Sequence, residues 1–178
     1  MKIKKIILLG IIVALMSSCG SLSNYHLIAG IGAKVENDNL DAIRRFTRAI
    51  RLNDENELAY LLRGRAFAEM GKYDDAIADF TKIIQLNNES EIAYSWRGRV
   101  FRLMGKYDEA IVEFTKSISI SENEIAYFWR GRTFKAIGKY DEAVADFTKA
   151  IQLDSKNEPA YFWRGYSYFQ LSKPVVHL

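Results

Sequence analysis

Gly30, Gly64, Gly98, Gly131 and Gly165 are separated by 34, 34, 33 and 34 residues. Ala42, Ala76, Ala110 and Ala143 follow the first four of these glycines by twelve, and Phe46, Phe80, Phe114 and Phe147 come four residues later. The hexapeptide GKYDDA begins at 71 and its near copy GKYDEA at 105 and 138. A fixed period of this length constrains a chain more than its composition does. It calls for one supersecondary unit, stacked on copies of itself so that each buries its neighbour's apolar face.

Each period reads as two helices. From Ala59 to Met70 the apolar residues recur at helical spacing, and Gly71 then supplies a position that tolerates positive φ. Asp74 and Asp75 stand where the next helix begins, and negative charge is favourable at a helix N-terminus. Ile77, Phe80, Ile83 and Ile84 form the next stripe, which Asn87-Asn88 interrupts.

With 49% apolar residues and only two prolines, the chain can bury a core and is not loop-rich. Its formal charge of +3 comes from Lys2, Lys4 and Lys5. After residue 18 there are as many acidic as basic side chains, so the charge gives no reason to expect a nucleic-acid partner.

Those lysines open a leader. The apolar run Ile6 to Met16 follows, then Ser17 and Ser18, in the order of a secretory signal. The run makes a helix of roughly 16 Å against a hydrocarbon core of about 30 Å, too short for a membrane span. Cys19 is the only cysteine. LMSSC resembles the lipobox of bacterial lipoproteins, with Ser17, Ser18 and Cys19 matching and Met16 standing where Leu or Val is usual. The resemblance implies cleavage after residue 18 and acylation of Cys19, which becomes the N-terminus. Gly20 in place of Asp points to the outer membrane of the cell envelope, on its periplasmic side.

The repeat resembles the tetratricopeptide repeat (TPR). Tyr60, Gly64, Phe67, Ala76 and Phe80 match the family pattern, as do Tyr94, Gly98, Phe101, Ala110 and Phe114, and again Tyr127, Gly131, Phe134, Ala143 and Phe147. The resemblance implies an all-α, right-handed superhelical α-solenoid of helix-turn-helix units, about four and a half repeats. The expected organisation is a signal peptide at 1–18 and a tether at 19–22. The units follow at 23–56 (divergent), 57–90, 91–123 and 124–157, with a partial unit or capping helix at 158–178.

Two departures stand out. The family's closing Pro is replaced by Asp54, Asn88, Glu122 and Ser155, which predicts looser turns. The Leu before Gly is replaced by Arg63, Arg97, Arg130 and Arg164. Sixteen residues after the first three of these arginines stand Asp79, Glu113 and Asp146. In the first unit Ala29 replaces the Arg and Arg45 the acid. The pattern predicts an Arg–carboxylate pair between the two helices of a unit.

The resemblance also implies a concave face built from first helices, with a ladder of Arg65, Arg99 and Arg132 beside one of Trp96, Trp129 and Trp163. Arg102, Phe128, Lys135 and Phe162 complete the expected peptide-binding set, and Ser95, Tyr166 and Phe169 share the face. The eight carboxylates of the second helices, Asp79, Glu113 and Asp146 among them, are expected toward the outside. Trp and Arg are favoured hot spots, so a protein or peptide segment with acidic and apolar residues suits such a groove. The family's carboxylate clamp is not reproduced, because Leu61, Ser95 and Phe128 hold its Lys places. The aromatic segment 158–178 is too apolar for a free cap, and is expected to pair with another copy, to be covered by another protein, or to mark a truncated relative of a longer TPR protein. His26 and His177 make no metal spacing, serines lack a nearby histidine, and GIG at 30–32 lacks the rest of a dinucleotide fingerprint. No cofactor, metal or enzymatic role is expected. The function read here is a non-enzymatic scaffold tethered to the envelope by its lipid.

Overall fold

The structure, a computed structural model, describes residues 22–36 and 38–173. The leader, Cys19, Pro174 and His177 lie outside the described residues. Among the described residues there are nine α-helices and no strand: α1 (Leu22–Val35), α2 (Asn39–Leu52), α3 (Glu57–Glu69), α4 (Tyr73–Leu86), α5 (Glu91–Leu103), α6 (Tyr107–Ile120), α7 (Glu124–Ala136), α8 (Tyr140–Leu153) and α9 (Glu158–Leu171). They form two compact units that divide after Asn88. In the first, α1 packs on α2, α2 on α3, and α3 on α4. In the second, the same order runs from α5 to α9, and the first helices α5, α7 and α9 also touch in succession. The expected all-α, TPR-like repeat fold is what each unit has.

Local signals place the helix ends. Asp38, Asn56, Ser90, Asn123 and Asn157 cap α2, α3, α5, α7 and α9, each accepting from the backbone N–H three residues on. Four of these caps, Asn56, Ser90, Asn123 and Asn157, stand in the turns where the family's closing proline is replaced. Gly71, Gly105 and Gly138 have φ of 73°, 75° and 78° and end α3, α5 and α7. After each, the lysine amide reaches back to the carbonyl of Phe67, Phe101 or Phe134, at 2.9, 2.9 and 3.0 Å. That closure needs a left-handed residue, which glycine supplies without a Cβ clash. The same lysines, Lys72, Lys106 and Lys139, start the next helices without a side-chain cap, and an acidic pair in the first turn faces the helix dipole instead.

The core follows the period. Phe46, Phe80, Phe114 and Phe147 are fully buried, with Ala42, Ala76, Ala110 and Ala143 beside them. Each phenylalanine fills the space left by a glycine on the preceding helix. A Cβ added at Gly64 would stand 2.8 Å from Phe80 Cε1, and one at Gly131 3.0 Å from Phe147 Cε1. Small residue against large ring sets the close approach of the two helices in a hairpin.

Candidate functional site

The arginines that replace the family's leucine make the predicted pairs. Arg63 Nη2 and Nε donate to the Asp79 carboxylate at 2.7 and 2.9 Å. Arg97 holds Glu113 at 2.9 and 3.0 Å, and Arg130 holds Asp146 at 2.8 and 2.8 Å. The contacts are bidentate, the geometry a planar guanidinium matches best. Burial pushes the Asp79 and Asp146 carboxyls up, and the guanidinium beside each opposes that rise. In the first repeat, where Arg and acid are both missing, Arg45 turns to Asp41 within its own helix at 2.6 Å.

The clasp has a third arm. Arg63 Nη1 donates to Thr47 Oγ1 on α2, and Arg130 Nη1 to Thr115 Oγ1 on α6, both at 3.0 Å. Tyr60 and Phe67 flank Arg63, at 5.5 and 5.8 Å, and Tyr127 and Phe134 flank Arg130, at 5.5 and 5.9 Å. One arginine thus ties three helices together. Asp79 and Asp146 are consequently buried and Glu113 half-buried, whereas Asp74, Asp75, Glu109, Asp141 and Glu142 face solvent. This corrects the expectation that all these carboxylates point outward.

Nine of the ten expected groove residues lie in the second unit, on the shared side of α5, α7 and α9. The structure replaces two neighbouring ladders with one alternating stack. The Arg99 guanidinium lies 3.8 Å from the Trp96 ring centre and 4.5 Å from that of Trp129. Arg132 lies 5.7 Å from Trp129 and 4.4 Å from Trp163. Lys135 Nζ continues the series, 4.4 Å from Trp163 and 5.1 Å from Tyr166. Arg102 adds a third cation over Trp129 at 5.3 Å. Each contact is worth about 0.5–2 kcal/mol, more where water is excluded.

Phe128 and Phe162 stand edge-on to Trp129 and Trp163, at 5.5 and 5.0 Å. Phe128 also leans on the buried Phe147 ring at 6.0 Å, so it serves the core as well as the face. Arg65 sits half-buried on α3 in the first unit. Ser95, expected on the face, is buried and shares a hydrogen bond with Ser117, whose hydroxyl donates to the Glu91 carbonyl. Beside Trp96, the starts of α5 and α7 enclose a cleft of about 210 Å³ that Ile92 and Ile125 help to line.

The electrostatics of this face are one-sided. Arg102, Arg132 and Lys135 have no carboxylate partner among the described residues. Burial lowers the pKa of Arg102; burial and then Arg102 lower that of Arg132; burial, Arg132 and Arg102 lower that of Lys135. The Nε atoms of Arg102 and Arg132 are buried without a hydrogen-bond acceptor. An anion placed here would relieve both the mutual repulsion and the missing acceptors.

Trp-x-x-Arg spacing, at Trp96/Arg99 and Trp129/Arg132, was the available signal for the stack. The cross-repeat stacking itself depends on the offset between neighbouring first helices. Among the described residues no group of His, Cys, Asp and Glu could hold a metal ion, and no helix is long and apolar enough to cross a membrane.

Fold and face together define a helical-hairpin repeat protein whose first helices carry a cationic, aromatic surface. Family profiles described as tetratricopeptide repeat match residues 33–90 and 61–118, and one described as TPR repeat matches 131–172. Together they span well over half the chain, which belongs to the tetratricopeptide repeat family. Such repeats are typically non-enzymatic interaction scaffolds. No curated protein matches the sequence.

Among solved structures, the chain resembles the MamA protein, with 22% identity, a TM-score of 0.74, and coverage of 86% of this chain and 84% of that one. It also resembles Cut9–Hcn1, the APC/C hetero-tetramer, with 19% identity and a TM-score of 0.80 over 93% of this chain and 33% of that one. A third is the first TPR of Spaghetti (RPAP3) bound to the HSP90 peptide SRMEEVD, with 22% identity and a TM-score of 0.63 over 66% and 94%. At these identities the likeness concerns the fold alone.

Proposed function

We propose that this chain is a scaffold of the bacterial cell envelope that grips an acidic, apolar segment of a partner protein. The segment lies on the first-helix face of the second unit. The observation that carries this reading is the set of half-buried cations, Arg102, Arg132 and Lys135, held against Trp129 and Trp163 with no carboxylate of their own. Acidic side chains of the partner neutralise them. Its apolar side chains lie on the tryptophans and in the cleft beside Ile92 and Ile125. The peptide SRMEEVD of the Spaghetti complex likewise mixes acidic and apolar residues, although the clamp lysines are absent from this chain.

Tethering is the second part of the proposal. Cys19 carries the lipid, and the outer membrane's periplasmic side is the site. One feature of α2 supports an anionic surface nearby. Arg44, Arg48 and Arg51 are exposed there, whereas the second helices α4, α6 and α8 each carry three acids and one lysine.

Reversal of Arg65, Arg99 and Arg132 to Glu is expected to abolish capture of envelope partners while the chain stays folded by circular dichroism. Unchanged capture rejects the groove. Cys19→Ser is expected to abolish incorporation of labelled fatty acid, and persistent label rejects the anchor. A second reading, self-association through 158–178, draws on the exposed Tyr168, Phe169 and Leu171. Deleting that segment lowers the oligomer size on that reading and leaves it unchanged on the first.

A further inference from the structure

The second helix of the first repeat inverts the charge of its counterparts. Helix α2 carries Arg44, Arg45, Arg48 and Arg51 against the single acid Asp41, which Arg44 and Arg45 share at 3.3 and 2.6 Å. Where Arg44 and Arg51 stand, the other second helices have Ala78 and Gln85, Val112 and Ser119, or Ala145 and Gln152. Arg44, Arg48 and Arg51 are exposed and, with Thr47 and Leu52, line an open hollow of about 490 Å³. Arg48 and Arg51 have no carboxylate partner among the described residues. The rest of the chain has no side-chain carboxylate to offer them, because every Asp and Glu lies among the described residues. The start of α1 lies against these arginines. There the Ser23 hydroxyl donates to the Ala49 carbonyl at 2.9 Å. Leu22 and Tyr25, in the same turn of α1, are exposed, as is Leu52 at the end of α2.

We infer that the arginine face of α2 docks on the headgroups of anionic phospholipids and seats the first repeat on the bilayer, an inference that rests on the tether through Cys19 proposed above. Only Gly20 and Ser21 separate Cys19 from α1, a link of at most about 10 Å. Because α1 begins beside Ala49, between Arg48 and Arg51 in sequence, an anchored chain brings these two cations to the headgroup layer. Lipid phosphate oxygens supply the acceptors that the guanidiniums lack. Leu22, Tyr25 and Leu52 interleave apolar surface with the cations, the composition of an interfacial contact rather than of a site for a free anion. The acidic first turns of α4, α6 and α8 in a second copy are the competing source of negative charge, but each already faces its own helix dipole.

The test reconstitutes the full chain into phosphatidylcholine vesicles with or without phosphatidylglycerol. A fluorescent amino acid replaces Leu52 or Leu153, its counterpart on α8 with similar exposure. Quencher lipids labelled at the headgroup report contact. Quenching is expected at 52 and not at 153, only with phosphatidylglycerol, and weaker in high salt. Arg48→Glu and Arg51→Glu should each lower the docked-to-free ratio about fivefold or more, with the fold intact by circular dichroism, whereas Arg48→Lys and Arg51→Lys should retain docking. Fatty-acid incorporation is followed in the same samples. A failed anchor shows as absent label, and a failed docking face as absent quenching with the label present. Absence of quenching at 52 overturns the inference whether or not the label is there. Equal quenching at 52 and 153, equal quenching in neutral vesicles, or indifference to charge reversal also overturns it. So does quenching at 52 that follows protein density rather than lipid charge, which assigns the face to a second copy.

Discussion

At the scale of single residues, Arg130 shows why leucine could be given up at its position. Leucine there would contribute only packing, whereas the guanidinium joins Asp146, Thr115 and two aromatic rings in three helices. Removing one member of a buried pair strands the other, whereas removing both can be nearly neutral. Arg130→Met and Asp146→Leu are therefore expected to cost about 3 kcal/mol each in urea unfolding, and the double variant much less than their sum. Additive losses would show that the pair is not a unit. The pair could be read from the sixteen-residue spacing alone, because that spacing returns to the facing side of a hairpin. The threonine arm could not, because it crosses to the preceding repeat and depends on how two hairpins sit together. For the same reason the tryptophans and arginines read as neighbouring ladders, when they in fact alternate.

Among the elements, glycine has two separate jobs. At Gly64 it makes room, because a methyl group would stand 2.8 Å from Phe80 Cε1. Gly64→Ala gains helix propensity of about 1 kcal/mol but overpacks by about 1–3 kcal/mol, so a net loss is expected in thermal unfolding. At Gly105 it makes a turn with φ of 75°, and Gly105→Ala should cost about 1 kcal/mol although nothing crowds it. A stabilised variant at either position contradicts the assignment. Helix α2 lay hidden behind the repeat pattern. Judging second helices by their consensus predicts acidic outer faces, and this holds for the exposed acids of α4, α6 and α8. The departure in the first repeat places Arg44, Arg48 and Arg51 in solvent.

For the whole molecule, the period was enough to read the helical hairpins and their buried rings, because stacking identical units leaves few other ways to bury them. The face was legible in composition but not in charge state. That Arg102, Arg132 and Lys135 share a partly buried region without a carboxylate depends on where every acid folds, and the acids of α4, α6 and α8 stand in the first turns or in the clasps instead. The most direct measurement is photo-crosslinking in cells. The crosslinking residue is placed at Ala136, exposed near the end of α7 on the proposed face, or at Val112, exposed on α6. Capture of one protein from position 136 and not from 112 is predicted, through a segment rich in acidic and apolar residues, and lost on Arg132→Glu with Lys135→Glu. Equal capture from 112, or capture at 136 that survives the charge reversal, would contradict it.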